Sequence, residues 1–345
     1  MADDRNPLEN PPPATSAIGL STQKPFPEGE GWVRGKYKAE GVNIELPLGL
    51  RLAYAFVPLL VLLVAIFLAC ILAYLMVTLW PDGPSFRTVI KKSSQLFLVL
   101  SIFPAMHYLK LNNYDLGFAP KPLFFKQLLL GAGLGFITLA PVFAALYLLD
   151  VTVIDKTQPW TWPWLSKKLI VELLLAVLIS LFEEPLFRGV LFAGLSRKLS
   201  VGAAIFISAF YYAGLHFLDN KTSIPSQELN LFSGFYLLGA AFVNLLNPEI
   251  LSAFLALFMV GVFLGVLRTQ VNASLGVCIG CHACWVWLIK LSKTLFDSNP
   301  NSDYLFLING HEGVIGPLVT VWLGLAIAGY FIRQRIIRAS HSSIG

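Results

Sequence analysis

Of 345 residues, 56% are apolar and 13% charged, whereas soluble globular chains carry roughly 25% charged residues. The 25 Lys and Arg and 20 Asp and Glu cannot coat the cores of a soluble chain this long, which excludes a soluble enzyme, and the apolar content excludes a disordered one. The net charge of +5 comes without the run of basic residues that a nucleic-acid partner needs, so the excess reads as the positive-inside signal of an integral membrane protein.

Residues 1 to 30 carry Pro7, Pro11, Pro12, Pro13, Pro25 and Pro27 among polar residues, a composition too poor in apolar surface to order itself. Trp32, Tyr37 and the basic Arg34, Lys36, Lys38 and Arg51 suit an approach along lipid headgroups, so 1–45 is expected to be a tail and membrane approach. The first apolar run begins near residue 46 without a cleavage site of small residues, and the first span is expected to direct insertion itself. A crossing needs about 20 apolar residues. The sequence predicts all-α spans at 52–79, 93–109, 126–149, 169–192, 201–218, 250–267, 273–291 and 314–332. A shorter stretch, 231–246, is broken by Ser233, Gly234, Gly239 and Asn244 and reads as a span, an interfacial helix or a re-entrant piece. Eight spans with both termini cytoplasmic keep the Lys and Arg excess inside, whereas a ninth at 231–246 would even it out. The expected architecture is therefore a polytopic bundle of about eight transmembrane helices over 46–338, followed by a short tail at 339–345.

An ionisable residue at membrane depth costs roughly 2.5–3.5 kcal/mol on insertion scales, which makes each one a functional candidate. The run around 169–192 holds Glu172, Glu183, Glu184 and Arg188. Glu184 and Arg188 are spaced i, i+4 in the favourable order and can neutralise each other on one face. Glu183 lies about 100° round the helix and must face something else, while Pro185 loosens the adjacent backbone. A carboxylate so placed is a candidate base. His216 and His282 lie at membrane depth and are its candidate partners, while His107, His311 and His341 sit near a span end, in a loop and in the tail. The residues alone leave a structural polar network, a proton relay and a transporter site open beside catalysis.

Glu183-Glu184-Pro185-Leu186-Phe187-Arg188 reads E-E-x-x-x-R, and Ser208-Ala209 with Tyr212-x-x-x-His216 reads S-A-x-x-F-x-x-x-H with Tyr in the Phe place. Gly261, Gly265, Arg268 and His282 supply a third element of glycine-spaced turns, a basic residue and a histidine. Together, over about 169–290, these resemble the CPBP family of intramembrane proteases, named for CAAX prenyl proteases and bacteriocin-processing enzymes. The resemblance implies peptide-bond hydrolysis in the membrane by a water that Glu183 and His216 hold and deprotonate. It further implies that His282 stabilises the oxyanion and that Glu184 with Arg188 braces the helix. No cofactor is required by that route, though one Glu and two His also match a zinc set with an open position. Membrane lipid and a membrane-associated peptide or protein are the implied partners, with the substrate left open between prenylated and other peptides. Val286 stands where the family has Asn or Asp, and Trp285 or a backbone group is the expected stand-in. Two other readings compete: a transporter-like scaffold, and an inactive protease-derived membrane partner or immunity protein, which Val286 supports best.

The remaining signals have plainer readings. Cys278-Ile279-Gly280-Cys281-His282 spells a c-type haem signature and with Cys284 could form a zinc set, but it is embedded in an apolar run where packing of small residues is expected; Cys70 also lies in an apolar run, so no disulfide framework is expected. Gly131-x-x-x-Gly135 is a close-packing signal. Glu172 shares a face with Glu183 and is expected near headgroups, Asp219 is expected to be an ordinary loop-entry acid with a hydrogen bond to His216 as the alternative, and Trp160, Trp162 and Trp164 read as an interfacial belt.

Overall fold

The computed structural model describes residues 47–342 apart from 219–221, 223, 226–227, 231, 271–273 and 311–312. The tail and approach at 1–45, together with Asp219 and His311, lie outside the described residues.

The apolar runs form helices, because a backbone without water must satisfy its polar groups within one segment. In chain order these are α1 (Leu48–Leu79), α2 (Phe86–Leu100) leading through Ser101 into α3 (Ile102–Tyr108), α4 (Asn113–Leu116) and α5 (Lys121–Leu148). After them come α6 (Trp162–Glu184), a π-helical turn over Pro185–Leu191, α7 (Phe192–Ser196), α8 (Val201–Phe217) and α9 (Ser233–Asn244). The chain closes with α10 (Leu251–Gln270), α11 (Leu275–Leu295) and α12 (Pro317–Ser342). Two three-residue strands, β1 (Thr152–Ile154) and β2 (Phe296–Ser298), pair antiparallel with Thr152 opposite Ser298 and tie the ends of α5 and α11 together.

Among the described residues, six segments are long and apolar enough to cross a membrane: Leu48–Leu79, Phe86–Tyr108, Asn113–Leu148, Pro248–Gln270, Leu275–Leu295 and Pro317–Ile337. They account for six of the eight expected spans. The other two fall on α6 with its π turn, which is diluted by Lys167, Lys168, Glu172, Glu183 and Glu184, and on α8, which has only 17 residues. The stretch at 231–246 becomes α9, whose 12 residues reach about 18 Å at 1.5 Å per residue, short of a hydrocarbon core about 30 Å thick.

Two glycine-mediated crossings set the frame for the buried polar groups. On α5, a Cβ at Gly131 would fall on the Val277 carbonyl of α11, and one at Gly135 on the Cys281 carbonyl. On α11, a Cβ at Gly280 would fall on the Leu128 carbonyl of α5. The backbones thus touch, as small-residue interfaces in membranes allow. Gly261 of α10 lies against the backbone of Ala209 on α8, and Gly265 against the Ile205 side chain. Around the first crossing, Leu139, Val142, Leu264, Cys278, Cys281, Trp285 and Leu323 form a buried apolar cluster. All four cysteines are free and buried, and Cys278 faces the Leu264 carbonyl. Gly280→Ala is expected to cost about 1–3 kcal/mol by overpacking. Because His282 is two residues along the same helix, cleavage should fall with it; thermal unfolding in detergent beside an activity assay checks both.

Outside the spans, Asp155 organises the loop that carries the tryptophans. Its carboxylate accepts from the Thr157 hydroxyl and amide and from the Gln158 side chain, which holds it below the usual carboxylate range. Its carbonyl accepts from the Trp160 indole at 2.8 Å. Trp162 is exposed, as an interfacial residue would be.

Candidate active site

The break after Glu184 builds the site. Pro185 has no N–H to give its preceding turn, and the helix widens into a π turn over Pro185–Leu191, a distortion common at functional sites. Two motif side chains from other helices satisfy carbonyls that the wide turn leaves: Ser208 of α8 donates to Phe187 O at 3.1 Å, and Arg268 of α10 donates through Nε to Arg188 O at 3.2 Å. Arg268 also reaches Asp115 O at 3.1 Å through Nη2, lying against Gly117, whose φ of +99° closes α4. The Ser208, Gly261 and Arg268 motifs therefore hold the π turn and the two helices behind it.

Across this frame, Glu184, Arg188 and His282 form a buried cluster. Glu184 Oε1 accepts from Arg188 Nη1 at 3.1 Å and from His282 Nδ1 at 2.8 Å. Glu184 is 0% exposed and Arg188 1%, so the ion pair expected from the i, i+4 spacing exists but is fully desolvated. Its carboxylate does more than brace a helix, because it also holds the catalytic-candidate imidazole. Since an ionised carboxylate only accepts, Nδ1 of His282 carries a proton and Nε2 points to the cavity side.

Glu183 faces the other way, as its position round the helix requires. Its side chain is 30% exposed, its Oε2 lies 3.8 Å from His282 Nε2, and that oxygen has no hydrogen-bond partner among the described residues. His216 gives its Nδ1 proton to the Tyr212 carbonyl at 2.8 Å, which leaves Nε2 with a lone pair. Glu183 and His216 both line two cavities. One of about 550 Å³ is walled by α1, α2, α6, α8 and α9, with Leu62, Ile66, Leu98 and Phe187 among its apolar surfaces. The other, of about 240 Å³, lies between α5, α6, α8, α10, α11 and α12 and is lined also by Tyr212, His282 and Val286. The structure thus brings together all five residues singled out in the sequence, Glu183, Glu184, Arg188, His216 and His282.

Several finer expectations change. Trp285 does not replace the missing polar residue at Val286, because its indole N–H points to α5 and donates to Gly135 O at 3.0 Å and Thr138 Oγ1 at 2.9 Å. Glu172 pairs with Lys290 of α11 at 2.9 Å. His107 is exposed in the last turn of α3. One polar group escaped the sequence reading: the hydroxyl of Tyr212, 2% exposed, lies 3.3 Å from His282 Nε2, and its ring sits 4.4 Å under the Arg188 guanidinium. The signal was present as the tyrosine in the Phe place of the second motif.

A zinc ion does not suit these residues as they stand. Among the described residues no three His, Cys, Asp or Glu side chains converge as a metal requires. His282 has one nitrogen on Glu184 and the other facing Tyr212.

The helical bundle and its polar cluster at membrane depth define an integral membrane protein with a built, desolvated site. Residues 164–288 match the family model of Rce1-like proteins, described as type II CAAX prenyl endopeptidase. This stretch, which contains every residue of the cluster, is thus similar to proteins of the CAAX protease kind, in agreement with the resemblance its motifs carry. No curated protein and no solved structure gives a significant match.

Proposed function

We propose that the protein is an intramembrane endopeptidase that hydrolyses peptide bonds of membrane-associated substrates with Glu183 as general base. The observation that carries this reading is the pairing of opposites on adjacent residues. Glu184 is sealed on Arg188 and His282, while Glu183 is left open to two cavities beside two imidazoles. Water between Glu183 and His216 Nε2 loses a proton to the carboxylate, and its oxygen attacks the scissile carbonyl carbon. The carbonyl π electrons pass to oxygen, where His282 Nε2–H, its charge balanced by Glu184, stabilises the oxyanion. Collapse expels the amine, which takes the proton back from Glu183. The water-excluded cluster favours this chemistry because its donors are fixed before the charge develops.

The test is cleavage of a membrane-peptide library by the full chain in lipid vesicles, for the native protein, Glu183→Ala and His216→Ala, each with and without chelator. Expected is cleavage by the native protein alone, unaffected by chelator. Loss of cleavage on chelation would replace the mechanism with a zinc-dependent one. Val286, apolar beside the cavity, supports a second reading of an inactive membrane partner; a well-folded native protein that cuts nothing would favour it.

A further inference from the structure

Peptide hydrolysis needs a donor set for the oxyanion, and the wall of the smaller cavity is unevenly equipped for it. Val286 presents only methyl groups there, and the indole N–H of Trp285 is committed to α5. His282 Nε2 is one donor when the ring is doubly protonated. Tyr212 supplies a further polar hydrogen: its hydroxyl lies 3.3 Å from Nε2, and Tyr212 lines the same cavity. The ring is clamped edge-on by Phe187 at 5.2 Å between centroids and covered by Arg188 at 4.4 Å, so the hydroxyl oxygen has little freedom. With Nε2 protonated, the hydroxyl oxygen accepts from it, and the hydroxyl hydrogen can turn about the C–O bond to meet an incoming carbonyl oxygen.

We propose that Tyr212 is a catalytic residue, its hydroxyl supplying the second oxyanion donor beside His282 in the place that Val286 leaves apolar. This rests on the endopeptidase reading. Two donors on adjacent groups make a preorganised hole, and the removal of one such donor costs about 10²–10³ in kcat. No bond to Tyr212 forms or breaks; it donates one hydrogen bond that strengthens as charge moves onto the oxygen.

The experiment is steady-state cleavage of a peptide found by the library screen, by the full chain in vesicles, for the native protein, Tyr212→Phe, Val286→Asn and the double variant. Tyr212→Phe keeps the ring that packs on Arg188 and Phe187, so thermal unfolding should match the native protein. Expected is a fall in kcat of about 10²-fold with KM nearly unchanged. The double variant should regain at least about tenfold, because an amide at 286 offers the cavity a new N–H donor, which a purely structural role for Tyr212 would not allow. Affinity for a peptide phosphonate, which mimics the tetrahedral intermediate, should fall in Tyr212→Phe in step with kcat. Native-like kcat in Tyr212→Phe overturns the role of Tyr212 alone, as does a loss of kcat without loss of phosphonate affinity. A native protein that cleaves nothing overturns the endopeptidase reading and this role with it.

Discussion

Glu183→Gln is expected to lower cleavage by about 10²–10⁴-fold while leaving the fold in place. The amide is isosteric, and the carboxylate it replaces contributes little to stability. Glu183 Oε2 has no hydrogen-bond partner among the described residues and meets His282 Nε2 only at 3.8 Å. What the substitution removes is the capacity to take a proton from water. The contrast with its neighbour sharpens the test: Glu184→Gln strips the charge that holds both Arg188 and His282, so stability and activity should fall together. Thermal unfolding in detergent and peptide cleavage in vesicles, measured on both variants, separate the two roles. If Glu183→Gln keeps more than about a tenth of the native rate, the base is another group, since a general base at this position is worth at least about 10².

This division of labour between adjacent glutamates was partly legible in the sequence. Ionisable residues in apolar runs are few, so Glu183, Glu184, Arg188, His216 and His282 stood out, and helical geometry alone separated Glu183 from the Glu184 and Arg188 face. Long apolar runs such as Leu48–Leu79 likewise declared themselves as helices. Contacts between helices were not legible, because they depend on how segments are rotated and how closely they cross. That His282 binds Glu184 follows from the approach of α11 to α6, and the position of α11 is in turn set by the backbone contact of Gly131 and Gly280 with the facing helix. The same crossing turns Trp285 toward Thr138 and leaves Val286 beside the cavity. Pro185 announced a weakened turn, but whether a helix answers with a kink or with a π turn depends on partners such as Ser208 and Arg268, which lie far along the chain on other helices. The role of the Tyr212 hydroxyl was marked only by the tyrosine in the Phe place of its motif, and passed over for a simpler reason. A tyrosine in an aromatic run reads as packing until the histidine that it faces is placed.

Arg188→Met is expected to be the most destabilising single change in the site, by about 3–5 kcal/mol, because it leaves the Glu184 carboxylate buried without its cation. Arg188 and Glu184 are both at most 1% exposed, so water cannot replace the lost partner. Arg188 also covers the Tyr212 ring at 4.4 Å, and methionine of similar length fills that space without the charge, so the loss is electrostatic and not a cavity effect. The His282 hydrogen bond to Glu184 does not involve Arg188 and is expected to remain, which softens the penalty. The double variant Glu184→Gln with Arg188→Met removes both charges and should recover part of the loss, since replacement of a whole buried pair is often close to neutral. Thermal unfolding at neutral pH for the native protein, the single variant and the double variant decides it. A single variant within about 1 kcal/mol of native stability at neutral pH would mean that the pair is dispensable and that His282 alone suffices to hold Glu184. A double variant no more stable than the single one would instead place the loss in how the substituted thioether side chain packs against the Tyr212 ring.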